Sequence, residues 1–203
     1  MAKFKIFISK RKNRLTRGLV IKWLALIFIF LFFLSAILKG ENDLNDWQKV
    51  LGIFGGGLFL LGIVLKFYGM FNYENLKGEF KGFLEFKNDG IFIDEKFYEV
   101  TNIKNIEIIN EDYKGKLILK SRLDFDNSLS NGVDNLLRFS TINPVENIEV
   151  SFQQNEKSEL KQALVPLIKY HQLGKISFLK LLDSLNISDY DEIQTFKASI
   201  NRI

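Results

Sequence analysis

The residue types that carry out chemistry are few in this chain, and their spacing joins none of them to a partner. The single histidine is His171. It ends a run in which Leu160, Ala163, Leu164, Leu167, Ile168 and His171 recur at i, i+3, i+4, i+7, i+8 and i+11, the spacing of one helix stripe. A side chain on that stripe faces the core, so the pattern predicts a structural histidine rather than the base of a base–nucleophile pair. Asp124, Asp126 and Asp134 could offer oxygens to a hard cation. A calcium loop of the EF-hand type needs regularly alternating ligands, a glycine at position six and a glutamate at position twelve; here Phe125 separates one pair, Asp124 and Asp126, and the rest does not match. The serines, Ser140 and Ser151 among them, lack a Gly-x-Ser-x-Gly setting. Gly55-Gly56-Gly57 lies inside an apolar run, not in the strand–turn–helix context of a phosphate loop. With no cysteine in the chain, disulfides, thiol catalysis and Cys-ligated metals are excluded. The expectation is a protein without catalytic residues, cofactor or metal.

The elements that would hold any site begin with two apolar runs. Leu19–Leu38 and the stretch from Trp47 to Phe71 are each about long enough to cross a bilayer, and roughly ten residues join them. The first carries one charge, Lys22, at its start, where the stem can snorkel to the headgroups. Trp23 lies at the same depth, and Trp47 marks re-entry, both in positions that suit an indole at the interface. The apolar part of the second, about Val50–Leu65, stops at Lys66. Gly52 and Gly56 are spaced as G-x-x-x-G, which lets helix backbones approach closely. The first run of the same chain is the nearest partner, and a second copy is the alternative. The predicted hairpin occupies 19–71, with Lys22, Trp23, Trp47 and Lys66 as interface residues and Gly52 and Gly56 as packing residues.

Charge sets the orientation. Residues 1–18 hold seven Lys or Arg and no acid, so the segment reads as a basic tail and, by the positive-inside rule, as cytoplasmic. No small-residue cleavage site follows the first run, which is also too long for a signal-peptide core. Two crossings return the remainder to the cytoplasm. Residues 72–203 hold 17 basic and 21 acidic side chains, a net of −4. The sequence pI of about 9.1 therefore comes from the tail, and no clustered basic surface points to nucleic acid.

From Lys77 the pattern changes to alternation. Phe80–Phe86, Ile91–Ile93, Phe97–Val100, Ile103–Ile109, Leu117–Lys120, Leu136–Ile142 and Asn147–Gln153 read as seven short strands. Asn88-Asp89-Gly90 is a hairpin turn signal, Ser121–Asn135 a long polar loop and Asn143-Pro144 a turn. A helix capped by Asn155 follows, with Pro166 expected to kink or split it near Leu164 and Gly174 to end it. Residues 173–203 carry two short amphipathic patterns. Ile176, Leu179, Leu182 and Leu185 form the first. Ser188 to Asp191 begins the second as a capping box, and Ile193, Phe196 and Ile200 continue it.

Seven strands closed by one amphipathic helix is the element order of the pleckstrin-homology (PH) superfold. Over roughly residues 19–172 the chain resembles bacterial membrane proteins with two N-terminal spans and a cytoplasmic PH-like domain. Gly90-Ile91-Phe92-Ile93-Asp94 and the Tyr98–Ile106 run, Tyr-Glu-Val-x-x-Ile-x-x-Ile, are its best local features. The resemblance implies an α+β domain at 72–172, a half-open antiparallel barrel plugged by the helix, followed by a short helical tail. It does not bring phosphoinositide binding with it, because lipid-binding members have a basic first hairpin loop and here Lys87 stands beside Asp89. The functional expectation is a membrane-anchored, non-enzymatic interaction module with a protein partner. The alternatives are a subunit of a membrane assembly that associates through the glycine-rich hairpin, or an enzyme of unrecognised type.

Overall fold

The computed structural model describes residues 3–10, 16–39, 46–118 and 125–200. Among them the chain forms two compact units and passes between them four times. One unit comprises residues 1–11, 76–116 and 130–203, and the other residues 12–75 and 117–129.

The second unit contains the expected helices, α1 (Arg17–Lys39) and α2 (Asp46–Gly69). Both are long and apolar enough to cross a membrane. Most of their large side chains point outward, among them Phe30, Phe33, Ile53, Phe54 and Leu60. The faces they do bury are narrow. On α2 the buried positions are Gln48, Gly55, Gly62 and Gly69, one residue in every seven, the repeat that keeps a single side of a helix against its partner. Phe28 of α1 stacks on Phe54 of α2 with ring centroids 5.9 Å apart.

The other unit is built on a seven-stranded sheet of order β4-β3-β2-β1-β9-β8-β5. Its strands are β1 (Lys3–Ser9), β2 (Gly78–Lys87), β3 (Gly90–Ile93), β4 (Lys96–Glu99), β5 (Ile103–Ile109), β8 (Asn135–Thr141) and β9 (Asn147–Phe152). Every pairing in this sheet is antiparallel. The sheet is not a closed barrel, although its two end strands, β4 and β5, are joined by only a three-residue 3₁₀ turn at Val100–Asn102. The shorter β6 (Lys114–Leu117) and β7 (Leu129–Asn131) pair with each other as a separate two-stranded ladder.

The largest correction concerns the N-terminus. Lys3–Ser9, expected to be part of a basic tail, is the middle strand of the sheet. Its Lys-Phe-Lys-Ile alternation is a strand pattern in its own right, with Phe4 and Ile6 buried and Lys3 and Lys5 exposed. Lys3 and Lys5, two of the seven basic residues from which the orientation is read, are the solvent face of that strand. Seven main-sheet strands are thus reached with a different membership. β1 joins, while the strand expected at Leu117–Lys120 is replaced by β6, which ends at Leu117; Lys120 lies outside the described residues. Gly115, expected to be a turn, lies inside β6 at φ 87°. The first connection between neighbouring strands is accordingly residues 10–77, with α1 and α2 inside it, and the Asn88–Asp89 turn is the second.

β2 bends at Gly82 (φ 75°), where the register with β1 shifts. A Cβ there would lie 2.6 Å from the Asp94 carboxylate, so both backbone and space require glycine.

Helices close the sheet. A 3₁₀ turn at Glu159–Ala163 runs into α3 (Leu164–Gln172). The break falls at Leu164, where Pro166 was expected to act. Pro166 sits in the first turn of α3, where its missing N–H costs nothing. Asn155 is not the cap of this helix; its backbone N–H and side-chain amide bond the Glu159 carboxylate instead. Gly174 (φ 70°) ends α3. In the tail, Ser177 caps α4 (Phe178–Ser184) by accepting from the Lys180 N–H. Asp189, not Ser188, caps α5 (Tyr190–Ile200), accepting from the Asp191 and Glu192 N–H groups. Leu179 is exposed and Leu181 takes its place on the buried stripe. Ile176, Leu181, Leu182, Leu185, Ile187 and Ile200 pack into the same core as Leu84, Ile106, Leu137 and Phe152, so the tail belongs to the domain.

Candidate functional site

Three places gather side chains that could act. The first is the end of the helical hairpin where α1 begins and α2 finishes. Residues Phe125–Leu129, expected to lie in a polar loop of the soluble domain, are part of this unit. The Asp126 carboxylate accepts from the Gly18 N–H at 3.2 Å, and Thr16 Oγ1 accepts from the Leu19 N–H at 3.2 Å. These supply acceptors to the first turn of α1, where N–H groups have no partner within the helix. The Ser128 N–H donates to the Gly69 carbonyl at 2.9 Å, serving the last turn of α2. Leu129 and Glu74 extend the contact through the Asn72 and Leu129 carbonyls, and the Asn127 side-chain amide donates to the Tyr73 carbonyl at 2.8 Å.

Three glycines make room for this strap. A Cβ on Gly62 would lie 2.6 Å from the Phe125 ring, one on Gly69 3.0 Å from the Asp126 carbonyl, and one on Gly18 2.9 Å from the Asp126 carboxylate. Phe125 is buried. The sequence signal that could have found this packing is the Gly55–Gly62–Gly69 repeat, not the Gly52/Gly56 pair. Gly55 faces Ile29 and Phe28 of α1, with contacts of 3.2–3.3 Å for an added Cβ. Gly52 meets Phe32 at 3.4 Å, and Gly56 meets nothing within 4 Å. Gly52 therefore packs against α1 and Gly56 does not. Trp23 and Trp47 are exposed, Lys22 is half-buried, and Lys66 lies in the last turn of α2.

The second place is a buried polar centre where the β5–β6 connection meets β7, β8 and the end of β9. The Asp112 carboxylate accepts from Ser130 Oγ at 2.6 Å and from the Asp134 N–H at 3.1 Å. The Asp112 N–H donates to Asn135 Oδ1 at 2.9 Å. Gln154, fully buried, donates to Asn110 Oδ1 and accepts from the Leu160 N–H. Asn110 in turn donates to the Ser184 carbonyl at 2.6 Å. Every buried side-chain polar atom described is satisfied, so this network fixes loops to sheet. A polar cavity of about 320 Å³ opens beside it, lined by Asn110, Glu111, Asp112, Tyr113, Lys116 and Lys157. Of the three aspartates considered for a cation, the two described do not share a site. Asp126 is in the strap, Asp134 donates its backbone N–H to Asp112, and Asp124 lies outside the described residues. Among the described residues no group of three or more His, Asp or Glu could hold a metal.

The third place is an apolar groove of about 420 Å³ between α3 and α5, lined by Lys161, Leu164, Leu185, Ile187, Thr195 and Phe196. Lys161 and Glu192 pair across it at 3.3 Å.

His171 Nδ1 lies 2.9 Å from the Ile176 carbonyl, and the ring packs beside Phe178. These contacts tie the end of α3 to the start of α4. Nearby, the Tyr170 hydroxyl is placed to donate to the Lys87 and Gly90 carbonyls at 2.6 and 2.7 Å. Burial, helped by the negative charge of Asp89, pushes its pKa far above the ordinary tyrosine value.

No protein-family model, curated protein or solved structure matches this chain.

Proposed function

We propose that this protein is a membrane-anchored interaction module. In this reading α1 and α2 cross the membrane, and the β domain, held on the cytoplasmic side, binds a protein partner without catalysing a reaction. The pairing of β1 with β2 is the observation that carries it. The two strands flank the helical hairpin in sequence and lie side by side in one sheet, paired from Lys3↔Glu85 to Ser9↔Gly78 with one shift of register between Lys5 and Phe7. Strands that pair must share a compartment, so the hairpin between them makes an even number of crossings. The basic residues of the N-terminal segment then favour the cytoplasm for both strands. Exposed Trp23, Trp47, Tyr68 and Tyr73 near the helix ends suit the interfacial zone. A PH-like assignment is supported by the seven antiparallel strands with end strands three residues apart. Leu160, Leu167 and Tyr170, from the 3₁₀ turn and α3, fill the core.

For the partner-binding surface we favour the helix groove over a strand edge. The free edge of β5 is already used, since the Ile106 N–H donates to the Lys175 carbonyl at 2.9 Å, and β4 is four residues long and carries Lys96 and Glu99. The groove beside α5 offers an apolar floor with a charged pair at its rim, the composition that receives an amphipathic segment. A photoreactive residue replacing Thr195, compared with one replacing Glu95 on the β3–β4 turn, tests this in intact membranes. A discrete adduct from Thr195 alone is expected. No adduct, or the same adducts from both positions, would reject the groove as the binding surface.

Self-association through the hairpin is the second reading. Gly56 and Gly57 meet nothing within 4 Å of an added Cβ, so this side of α2 is open to a neighbour. Gly56→Leu should then lower the oligomeric state in detergent, and unchanged migration would remove the idea.

A further inference from the structure

We propose that Phe125–Leu129 is a clamp at the membrane interface, and that its seating on Gly62 and Gly69 fixes the angle at which α1 and α2 cross. The inference concerns the membrane unit alone and stands whether or not the β domain binds a partner.

The height of the clamp follows from helix register. Ile29 faces Gly55. Seven residues back along α1 is Lys22, and seven residues on along α2 is Gly62, each about 10 Å further toward the same end of the hairpin. Phe125, which fills the notch at Gly62, therefore lies level with Lys22 and Trp23, a full turn inside Lys66. Non-helical backbone survives at such a depth only when protein covers it and its polar groups are bonded. Three of the strap's residues meet them. Phe125 is 6% exposed, and the strap's N–H groups at Ser128 and Leu129 reach the Gly69 and Asn72 carbonyls.

The contacts are divided between the two helices. Asp126 engages the start of α1, while Phe125 and Ser128 engage α2. Nearer the loop end, helix contact rests on the Gly52 and Gly55 positions facing Phe32, Ile29 and Phe28. Two helices held at one region can scissor, and a strap bonded to both at the other end prevents it. Withdrawal of Phe125 and opening of the hairpin are then a single event.

The test uses the full-length chain in lipid nanodiscs, with spin labels on Val20→Cys and Val64→Cys. Both positions are exposed, they lie at one height by the same register, and the absence of native cysteine makes the labelling unique. One narrow distance is expected. Phe125→Ala and Gly62→Leu should each broaden it, whereas Gly62→Ala combined with Phe125→Leu should broaden it less than Gly62→Leu. A distribution unchanged in Phe125→Ala and Gly62→Leu but broadened by Gly55→Leu would overturn the clamp, because helix packing alone would set the angle. Should those variants fail to insert, a label on Asn127→Cys in the otherwise native chain decides the matter. A clamp gives an immobile label, and a mobile label would overturn it.

Discussion

The backbone N–H of Lys10 donates to the carbonyl of Lys77 at 2.7 Å, and these two residues bracket the entire helical hairpin. The Lys10 ammonium also pairs with Glu79 at 2.6 Å and holds that carboxyl below its ordinary pKa. The ladder between β1 and β2 thus continues past the last paired residues, and the hairpin leaves and re-enters the sheet at one point.

Topology is the first prediction from that closure. Cysteines placed at Asn88 and Asn186 should react from the same side of the membrane, and one placed at Asp43 from the other. Labelling of Asp43→Cys from the same side as Asn88→Cys would mean that the helices do not cross.

Phe4 should be among the most costly residues to truncate. It is 1% exposed and meets Phe86 and Phe152 edge-on at 5.9 and 5.4 Å. Phe4→Ala is expected to cost about 3–5 kcal/mol, read as a fall in the denaturant midpoint of the β domain. A free N-terminal tail would show no change.

Tyr170 should impose an alkaline limit. Its folded pKa is raised above the reference value of 10.0. The stability it contributes is therefore complete below pH 10 and lost above it, where the unfolded chain ionises and the folded one does not, at about 1.4 kcal/mol per pH unit. Tyr170→Phe should lose about 1–3 kcal/mol at neutral pH through the two hydrogen bonds its hydroxyl no longer makes. It should also flatten the decline above pH 10. Urea midpoints measured from pH 8 to 11 would show both effects, and an equally steep decline in the variant would assign the limit to another group.

Glycines on α2 should divide by face. Gly55→Leu collides with Ile29 and Phe28, whereas Gly57→Leu points into open space. Thermal aggregation in detergent should begin at a lower temperature for the first and at the native temperature for the second.

Much of this fold was legible where a local pattern had a single physical explanation. The two long apolar runs, the Asp89-Gly90 turn and the 3.6-residue stripe through Leu160, Leu167 and Ile168 each became the expected kind of element. Lys3–Ser9 was not read as a strand, because a run of positive charge before an apolar span has a second and equally physical meaning. Phe125 was not legible as a membrane-unit residue at all. Its aspartate neighbours mark the stretch as polar, and the space that receives it is set by Gly62, more than sixty residues earlier in the chain. Gly56 shows the opposite error. G-x-x-x-G spacing identifies a helix side that permits close approach, but the repeat through Gly55, Gly62 and Gly69 selects the side that is used.

The central place of β1 also sets a schedule for synthesis. β1 is made before both of its neighbours, β2 and β9, and meets the second at Ile6↔Phe152. It must therefore wait through translation of both long helices and most of the domain before its second edge is covered. Until then Phe4 and Ile6 sit on an unpaired edge, the kind of strand that attracts aggregation and chaperones. The charges at Lys3 and Lys5 then have a use that ends at folding, keeping an early, sticky strand soluble until its last neighbour is made.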